Sequence, residues 1–134
     1  MPDADGMSRK SRGIDAERAL VRAFWESGWA AIRVAGSGSS QYPSPDLLVG
    51  KRGRRLAIES KITTEKKKYI PKEDVRHLNY FSRVFGAEVW IAVKFFRDKW
   101  VFFTPEDMLE SEKFYYATPE LAELKGLSFE ELID

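Results

Sequence analysis

With 134 residues, the chain is long enough for one domain with a hydrophobic core and too short for two ordinary domains. Its 32% charged and 43% hydrophobic residues are typical of a globular protein, and no apolar run approaches the roughly 18 residues of a membrane span. The absence of cysteine excludes disulfides, thiol nucleophiles and thiolate metal sites, and one histidine cannot form a histidine-rich zinc site, so any metal must be held by carboxylates.

The first third of the chain is predicted to hold a basic arm, a helix and the start of a sheet. Residues 1–12 are polar and basic, which favours a flexible arm. From Ile14 onward, apolar residues recur at helical spacing until Gly28, a natural helix stop. The β-leaning run WAAIRVA follows, and the run SGSSQYPSP, rich in Gly, Ser and Pro, predicts a long loop.

Two neighbouring strands are predicted next, because the turn-forming run KRGR separates DLLVG from RLAIESKI. Successive side chains of a strand point to opposite faces of its sheet. Glu59 and Lys61 therefore share one face of the second strand, and Ser60 lies on the other face with Ile58 and Ile62. The two strands are predicted to form a hairpin.

The middle of the chain is predicted to hold a basic loop, a second helix and two more strands. The loop is TTEKKKYIP, and the amphipathic run PKEDVRHLNYFSRVFG begins near Pro71 and ends at Gly86, which predicts a helix. AEVWIAVKFF and KWVFF are predicted strands around an Arg-Asp turn. Because strands are bracketed by helices, the sequence predicts an α/β domain.

Residues 105–134 are predicted to form an acidic helical extension, packed on the same domain or extending it. Short helices are expected to begin at Thr104-Pro105, at Thr118-Pro119 and at Ser128. This segment holds 2 Lys and Arg against 9 Asp and Glu, whereas residues 1–104 hold 20 against 12. A basic body favours a polyanionic partner such as nucleic acid, although a basic surface can also be merely solvated.

Three charged residues form the strongest candidate for a catalytic site. Asp46 opens one strand of the predicted hairpin, and Glu59 and Lys61 lie on one face of the other strand. Two carboxylates supply the hard oxygen ligands that Mg²⁺ prefers, and a lysine ammonium can orient a water or offset charge on a phosphate. The alternative is an exposed Glu–Lys ion pair. A charged pair inside an otherwise apolar strand favours the catalytic interpretation.

Several motifs occur in an order that resembles a known family. They are GIDAERAL, AAIRVAGSGS, PDLLVG, IESK, YI and YFSRVFG, spread over about residues 12–103. In these motifs the chain resembles the archaeal Holliday junction resolvases, a branch of the PD-(D/E)xK nuclease superfamily. The resemblance implies a restriction-endonuclease-like fold, in which a central mixed β-sheet is flanked by helices, and it makes residues 13–104 the nuclease domain.

The resemblance also implies roles for individual residues. The acidic catalytic residues, which would bind Mg²⁺ with Mn²⁺ able to substitute, would be Glu17, Asp46 and Glu59. The catalytic lysine would be Lys61. The residues acting beside them on the DNA backbone or the scissile phosphate would be Arg18, Arg33 and Ser37, with Ser39 the alternative to Ser37 because the loop before Asp46 is long.

Other candidate residues keep two interpretations. The basic loop is either a DNA-backbone contact or a solvated charge run, and its residues are Lys66, Lys67, Lys68 and Tyr69. Phe81 and Phe85 lie one turn apart on the second helix, where they either pack in the core or, as the resemblance implies, contact a second subunit. Arg18 is either a phosphate contact or part of a solvated helix face.

The sequence hypothesis is a cytoplasmic, nucleoid-associated archaeal enzyme of DNA recombination and repair. As a homodimer it would bind four-way DNA junctions and nick two opposed strands by Mg²⁺-dependent hydrolysis. A sliding clamp is a candidate partner of the acidic extension, and no membrane partner is expected. The alternatives are another PD-(D/E)xK nuclease that acts on flaps or like a restriction enzyme, and a catalytically inactive DNA-binding scaffold.

Overall fold

The computed structural model describes residues 8–36 and 41–134. The first half holds, in chain order, α1 (Arg9–Glu26), β1 (Ala30–Arg33), β2 (Leu47–Lys51), β3 (Arg54–Thr63) and β4 (Lys68–Pro71). The second half holds α2 (Lys72–Phe85), β5 (Glu88–Phe95), β6 (Trp100–Phe103), a 3-10 helix (Pro105–Asp107), β7 (Leu109–Glu110), β8 (Phe114–Ala117), α3 (Pro119–Lys125) and α4 (Phe129–Ile133). Among the helices of these ranges, none combines the length and the apolar composition of a transmembrane segment.

A five-stranded mixed sheet forms the centre of the fold. Its strand order is β1-β2-β3-β5-β6, in which β3 and β5 run parallel and each other neighbouring pair runs antiparallel. The parallel pair is joined through α2, as parallel strands require a crossover connection. The predicted hairpin of β2 and β3 is confirmed, and so is the predicted central mixed sheet flanked by helices.

The two faces of the sheet are covered by different layers, each with its own core. On one face, α1 and α4 pack against alternate residues of β3, and the buried residues include Leu20, Phe24, Leu56, Ile58 and Leu132. On the other face, α2, α3 and a second sheet pack against the intervening residues, and the buried residues include Ala57, Ile70, Val75, Leu78 and Leu121. Because both faces are covered, the consecutive residues Leu56, Ala57 and Ile58 of β3 are all buried.

The first helix begins earlier than the sequence predicted. Residues 9–12, which were assigned to a flexible arm, form the first turn of α1. The cause is a polar cap: the Oγ atom of Ser8 accepts a hydrogen bond of 3.1 Å from the N–H of Ser11. This part of the arm prediction is therefore wrong, and residues 1–7 lie outside the described ranges.

The acidic carboxy-terminal segment contains strands that the sequence analysis missed. Short helices begin at the three expected positions, and the capping box of Ser128 and Glu131 is present. Between them, β7 and β8 join β4 in an antiparallel sheet of order β4-β8-β7, so the predicted basic loop over residues 63–71 contains a strand. The segment packs on the domain, because Ala117, Leu121 and Leu132 are buried in the two cores.

Candidate active site

Asp46 is held by its backbone at the point where β2 begins. Its N–H donates to the carbonyl oxygen of Ile58 at 3.0 Å, and its own carbonyl oxygen accepts from the N–H of Val34 at 2.8 Å. These two bonds tie the residue to the strands on either side of β2. The carboxylate is fixed as well, because its Oδ2 atom accepts a hydrogen bond of 2.9 Å from the N–H of Ser60.

Glu17 joins this arrangement from α1, on the side of the sheet that the helix covers. Its Oε1 atom accepts a bond of 2.9 Å from Nε of Arg33, which is an ion pair with both side chains less than a quarter exposed. Its Oε2 atom accepts a bond of 2.5 Å from the hydroxyl of Ser60. Because that hydroxyl also lies 3.3 Å from Oδ2 of Asp46, Ser60 stands between the two carboxylates.

Glu59 and Lys61 lie on the opposite face of β3, toward α2. Nζ of Lys61 lies 3.4 Å from Oε2 of Glu59, and the Glu59 side chain is only 17% exposed. Burial and the negative charge of Asp46 raise the pKa of the Glu59 carboxyl to about 7, and Lys61 opposes that rise. A nearby cation would stabilise the ionised form of Glu59, because its positive charge offsets both the cost of burial and the repulsion from Asp46.

Asp46 and Glu59 supply a donor set that suits Mg²⁺. This ion keeps several waters and is usually held in proteins by one or two carboxylates together with substrate phosphates. Within residues 8–36 and 41–134, no group of three or more acidic, histidine or cysteine side chains is arranged to enclose a metal ion. An open pair of carboxylates is compatible with an ion that also contacts a phosphate. In this arrangement Arg33 and Ser60 occupy the oxygens of Glu17.

A basic cleft of about 1020 Å³ lies between the start of α1, the end of β3 and the β5–β6 turn, and its lining includes Ala16 and Ile62, the chain neighbours of Glu17 and Lys61. Of the predicted basic loop, Lys67, Lys68 and Tyr69 line the cleft. Lys66 is exposed in the turn after β3, and Arg18 is exposed on α1. Ser37 and Ser39 lie outside the described ranges.

Sequence reasoning missed other residues of the site. The basic residues of the cleft that had no assigned role are Lys10, Arg12, Lys94 and Arg97. They belong to three separate elements, so only the fold brings them together. Ser60 was assigned to a face but to no function. The sequence did hold a signal for its role, because Ser60 is a polar residue on a strand face that it shares with the apolar Ile58 and Ile62.

Phe81 and Phe85 stack on each other along α2, with ring centroids 5.4 Å apart and an angle of 14° between the planes. Phe81 packs against the core on the α2 side. Phe85 is 46% exposed, and neighbouring Val84 is 71% exposed. The core interpretation therefore applies to Phe81, whereas Phe85 lies mainly at the surface.

The chain is similar over most of its length to known proteins of one family. A family model described as archaeal Holliday junction resolvase matches residues 8–134. The crossover junction endodeoxyribonuclease Hjc of Archaeoglobus fulgidus is 43% identical over 130 residues, which cover 91% of this chain and 95% of that protein. The protein of the same name from Sulfurisphaera tokodaii is 34% identical over 129 residues, covering 94% of this chain and 88% of that protein. The crystal structure of Archaeoglobus fulgidus Hjc, described as a Holliday junction resolvase, superposes with a TM-score of 0.84 at 38% identity, covering 91% of this chain and 100% of that one.

Proposed function

The chain belongs to the archaeal Holliday junction resolvase family, and we propose that it is a crossover junction endodeoxyribonuclease that binds four-way DNA junctions and resolves them by paired, symmetric nicks. The likeness to the solved resolvase structure also identifies the fold as restriction-endonuclease-like. One observation carries the proposal beyond family membership. The charge of Asp46 acts on Glu59, which pairs with Lys61, and the residues that follow Lys61 in β3 line the basic cleft.

We propose that Asp46 and Glu59 hold Mg²⁺, for which Mn²⁺ can substitute. When bound, the ion lowers the pKa of a water and offsets charge on the phosphate. Asp46 contributes a carboxylate whose orientation is already fixed by the N–H of Ser60. Glu59 contributes a carboxyl group that is only partly ionised near pH 7, so it binds the ion more strongly as pH rises.

Lys61 and Arg33 supply positive charge to the reacting phosphate in this proposal. The Lys61 side chain is 29% exposed beside Glu59, close enough to the surface for its ammonium to donate to a water or a phosphate oxygen. Arg33 is paired with Glu17, so Glu17 fixes the direction of the guanidinium. Glu17 remains a predicted metal ligand, and in its present position it acts on Arg33 and, through Ser60, on Asp46.

The basic cleft is proposed to hold the sugar-phosphate backbone of one junction arm. Six basic side chains line it against two acidic ones, Asp15 and Glu65. Each phosphate that such a surface neutralises releases condensed counterions, which favours binding and makes it depend on salt. Tyr69 is 45% exposed at the cleft, where its ring can contact a sugar or a base. Such contacts position the DNA without reading its sequence.

Two subunits are proposed to act on one junction, because an isologous dimer presents paired active sites to a substrate with two-fold symmetry. The exposed face of α2 is a candidate contact between them. Tyr80, Val84 and Phe85 lie on it with side chains 53%, 71% and 46% exposed, which is a concentration of apolar surface on one helix. The sliding-clamp contact of the acidic segment stays a prediction.

A panel of equal-length DNA substrates tests the proposed function. Mg²⁺-dependent cleavage is measured on a four-way junction, a flap and a linear duplex. The junction should be cut fastest, with nicks at symmetric positions in two opposed strands. If the flap or the duplex is cut faster, the protein is a PD-(D/E)xK nuclease of another specificity. If the junction is bound and no substrate is cut, the protein is a DNA-binding scaffold.

The scaffold alternative is disfavoured by the charges at the site. A protein that only binds phosphates gains nothing from the paired carboxyl groups of Asp46 and Glu59, because carboxylates repel the backbone unless a cation offsets them. The Glu59 side chain is also mostly buried, which makes ionisation costly. Because a buried carboxylate of this kind weakens DNA binding, its presence in the site favours a catalytic role for Glu59.

A further inference from the structure

Ser60 is a buried polar residue that the proposed chemistry does not use directly. Its exposed fraction is 8%, and its neighbours on the same face of β3 are the apolar Ile58 and Ile62. Burying a hydroxyl costs free energy unless it is hydrogen-bonded. The hydrogen-bond partners of Ser60 therefore indicate its role, and both partners are acidic residues of the proposed active site.

The contacts of Ser60 join two elements that are distant in the chain. The side-chain hydroxyl donates to Oε2 of Glu17 at 2.5 Å. The backbone N–H donates to Oδ2 of Asp46 at 2.9 Å. A serine hydroxyl has only one proton to donate, so the 3.3 Å approach to Asp46 is a secondary contact.

We infer that Ser60 is a positioning residue, which holds the carboxylates of Asp46 and Glu17 in the orientation that the divalent cation requires. This inference rests on the proposed function, with Glu17 as a third metal ligand beside Asp46 and Glu59. The N–H bond fixes Asp46 whatever the side chain at position 60, whereas the Glu17 bond depends on the hydroxyl. Without that hydroxyl, Glu17 keeps only Arg33 as a partner among the contacts described above, and its carboxylate is free to turn relative to Asp46.

The first test compares metal binding by the wild type and Ser60→Ala in the absence of DNA. Mn²⁺ is titrated and the free ion is followed by electron paramagnetic resonance. Loss of an outer hydrogen-bond partner usually weakens metal binding by 10- to 100-fold, so Ser60→Ala should raise the Kd for Mn²⁺ by roughly tenfold. The Mg²⁺ concentration for half-maximal junction cleavage should rise by a similar factor, while cleavage at saturating Mg²⁺ falls much less.

Two matched variants separate positioning from a general loss of structure. Ser60→Thr keeps the hydroxyl and suits a strand, so it should restore most of the Mn²⁺ affinity. Ser82→Ala removes another buried serine hydroxyl, at 2% exposure on α2, which has no hydrogen-bond partner in the part of the chain that the structure describes. This control should leave Mn²⁺ binding unchanged. Thermal unfolding of each metal-free variant establishes that all are folded.

A double-mutant cycle with Glu17→Gln identifies the residue through which Ser60 acts. If the hydroxyl works by orienting Glu17, Ser60→Ala should weaken Mn²⁺ binding much less when Glu17 is already changed. Fully additive effects would overturn the inference, even if Ser60→Thr proves too bulky to restore binding. Equal Mn²⁺ affinity of Ser60→Ala and wild type would also overturn it, as would a wild type that binds no Mn²⁺. If the wild type binds Mn²⁺ but leaves junctions intact, the proposed function fails while the binding data still decide the role of Ser60.

Discussion

Replacing Glu59 by glutamine is expected to stabilise the metal-free protein at high pH, because the wild type must ionise a buried carboxyl there. Its pKa is raised from 4.5 to about 7, by burial first and by the charge of Asp46 second. In the unfolded chain the carboxyl returns to its ordinary pKa. Between these two values the folded state binds more protons than the unfolded state, so stability falls as pH rises.

The size of the effect follows from the two pKa values. Below pH 4.5 the carboxyl is protonated in both states and costs nothing, and above about pH 7 the cost is fully present. A rise from 4.5 to about 7 corresponds to about 3 kcal/mol of unfolding free energy. Little of this is lost to solvent screening, because the side chain is only 17% exposed.

Urea unfolding in the presence of a chelator measures this contribution between pH 4.5 and pH 8. The difference in unfolding free energy, Glu59→Gln minus wild type, should grow by about 3 kcal/mol across that range. In the wild type, Lys61 stabilises the charged form of Glu59, and the variant lacks this ion pair. The pKa of about 7 already includes that stabilising effect of Lys61. Glu112→Gln, which changes an exposed carboxylate, is the matched control. A difference that stays constant with pH would refute the assignment of Glu59 as a buried, destabilised carboxyl.

Three further predictions concern the metal, the carboxy-terminal segment and the dimer. The Mg²⁺ concentration for half-maximal cleavage should fall about tenfold from pH 6 to pH 8 as Glu59 ionises, and a flat profile would contradict that role. Leu132→Ala should lower the unfolding free energy by about 2–5 kcal/mol, because it leaves a cavity in the core. Truncation after Thr104 should abolish cooperative unfolding. A truncated protein that still folds would show that the segment is dispensable for folding. Phe85→Glu should convert a dimer of 15.4 kDa chains into monomers in light scattering, and an unchanged mass would move the subunit contact elsewhere.

Elements with local signals could be predicted from the sequence, and elements that depend on distant partners could not. α2 was delimited by Pro71 and by Gly86, which ends it in the left-handed conformation at φ 89°. β4, β7 and β8 are two to four residues long, and β8 pairs both with the nearby β7 and with β4, which lies more than 40 residues earlier in the chain. Such pairing leaves no periodic pattern in so short a run.

The carboxy-terminal segment shows why charge alone was a poor guide to its role. Its acidic composition distinguishes it from the basic body, yet its apolar residues are what determine its position. Leu132 is 1% exposed between α1 and the sheet, and its carbonyl oxygen accepts a bond of 2.8 Å from Nη1 of Arg54. The acidic side chains lie outside this core, where Glu110 pairs with Lys72 at 2.6 Å.

Within the site, strand periodicity predicted which residues share a face, but it could not predict what each face contacts. Glu59 and Lys61 were correctly placed on the same side of β3. The spacing of Asp46 and Glu59 could not show that α1 would bring Glu17 to the opposite side, or that Ser60 would join Glu17 to Asp46. These contacts depend on the packing of α1 against the sheet, which involves residues more than 40 positions apart.

The most direct test of the proposed active site is cleavage of a synthetic four-way junction with Mg²⁺ by the wild type, Asp46→Asn and Glu59→Gln, with a linear duplex of the same length as control. Binding of the junction is measured alongside in Ca²⁺. The wild type should make paired symmetric nicks in the junction and leave the duplex intact, whereas both variants should bind the junction without cutting it. Cleavage by either variant at the wild-type rate would contradict the central role given to these two carboxylates.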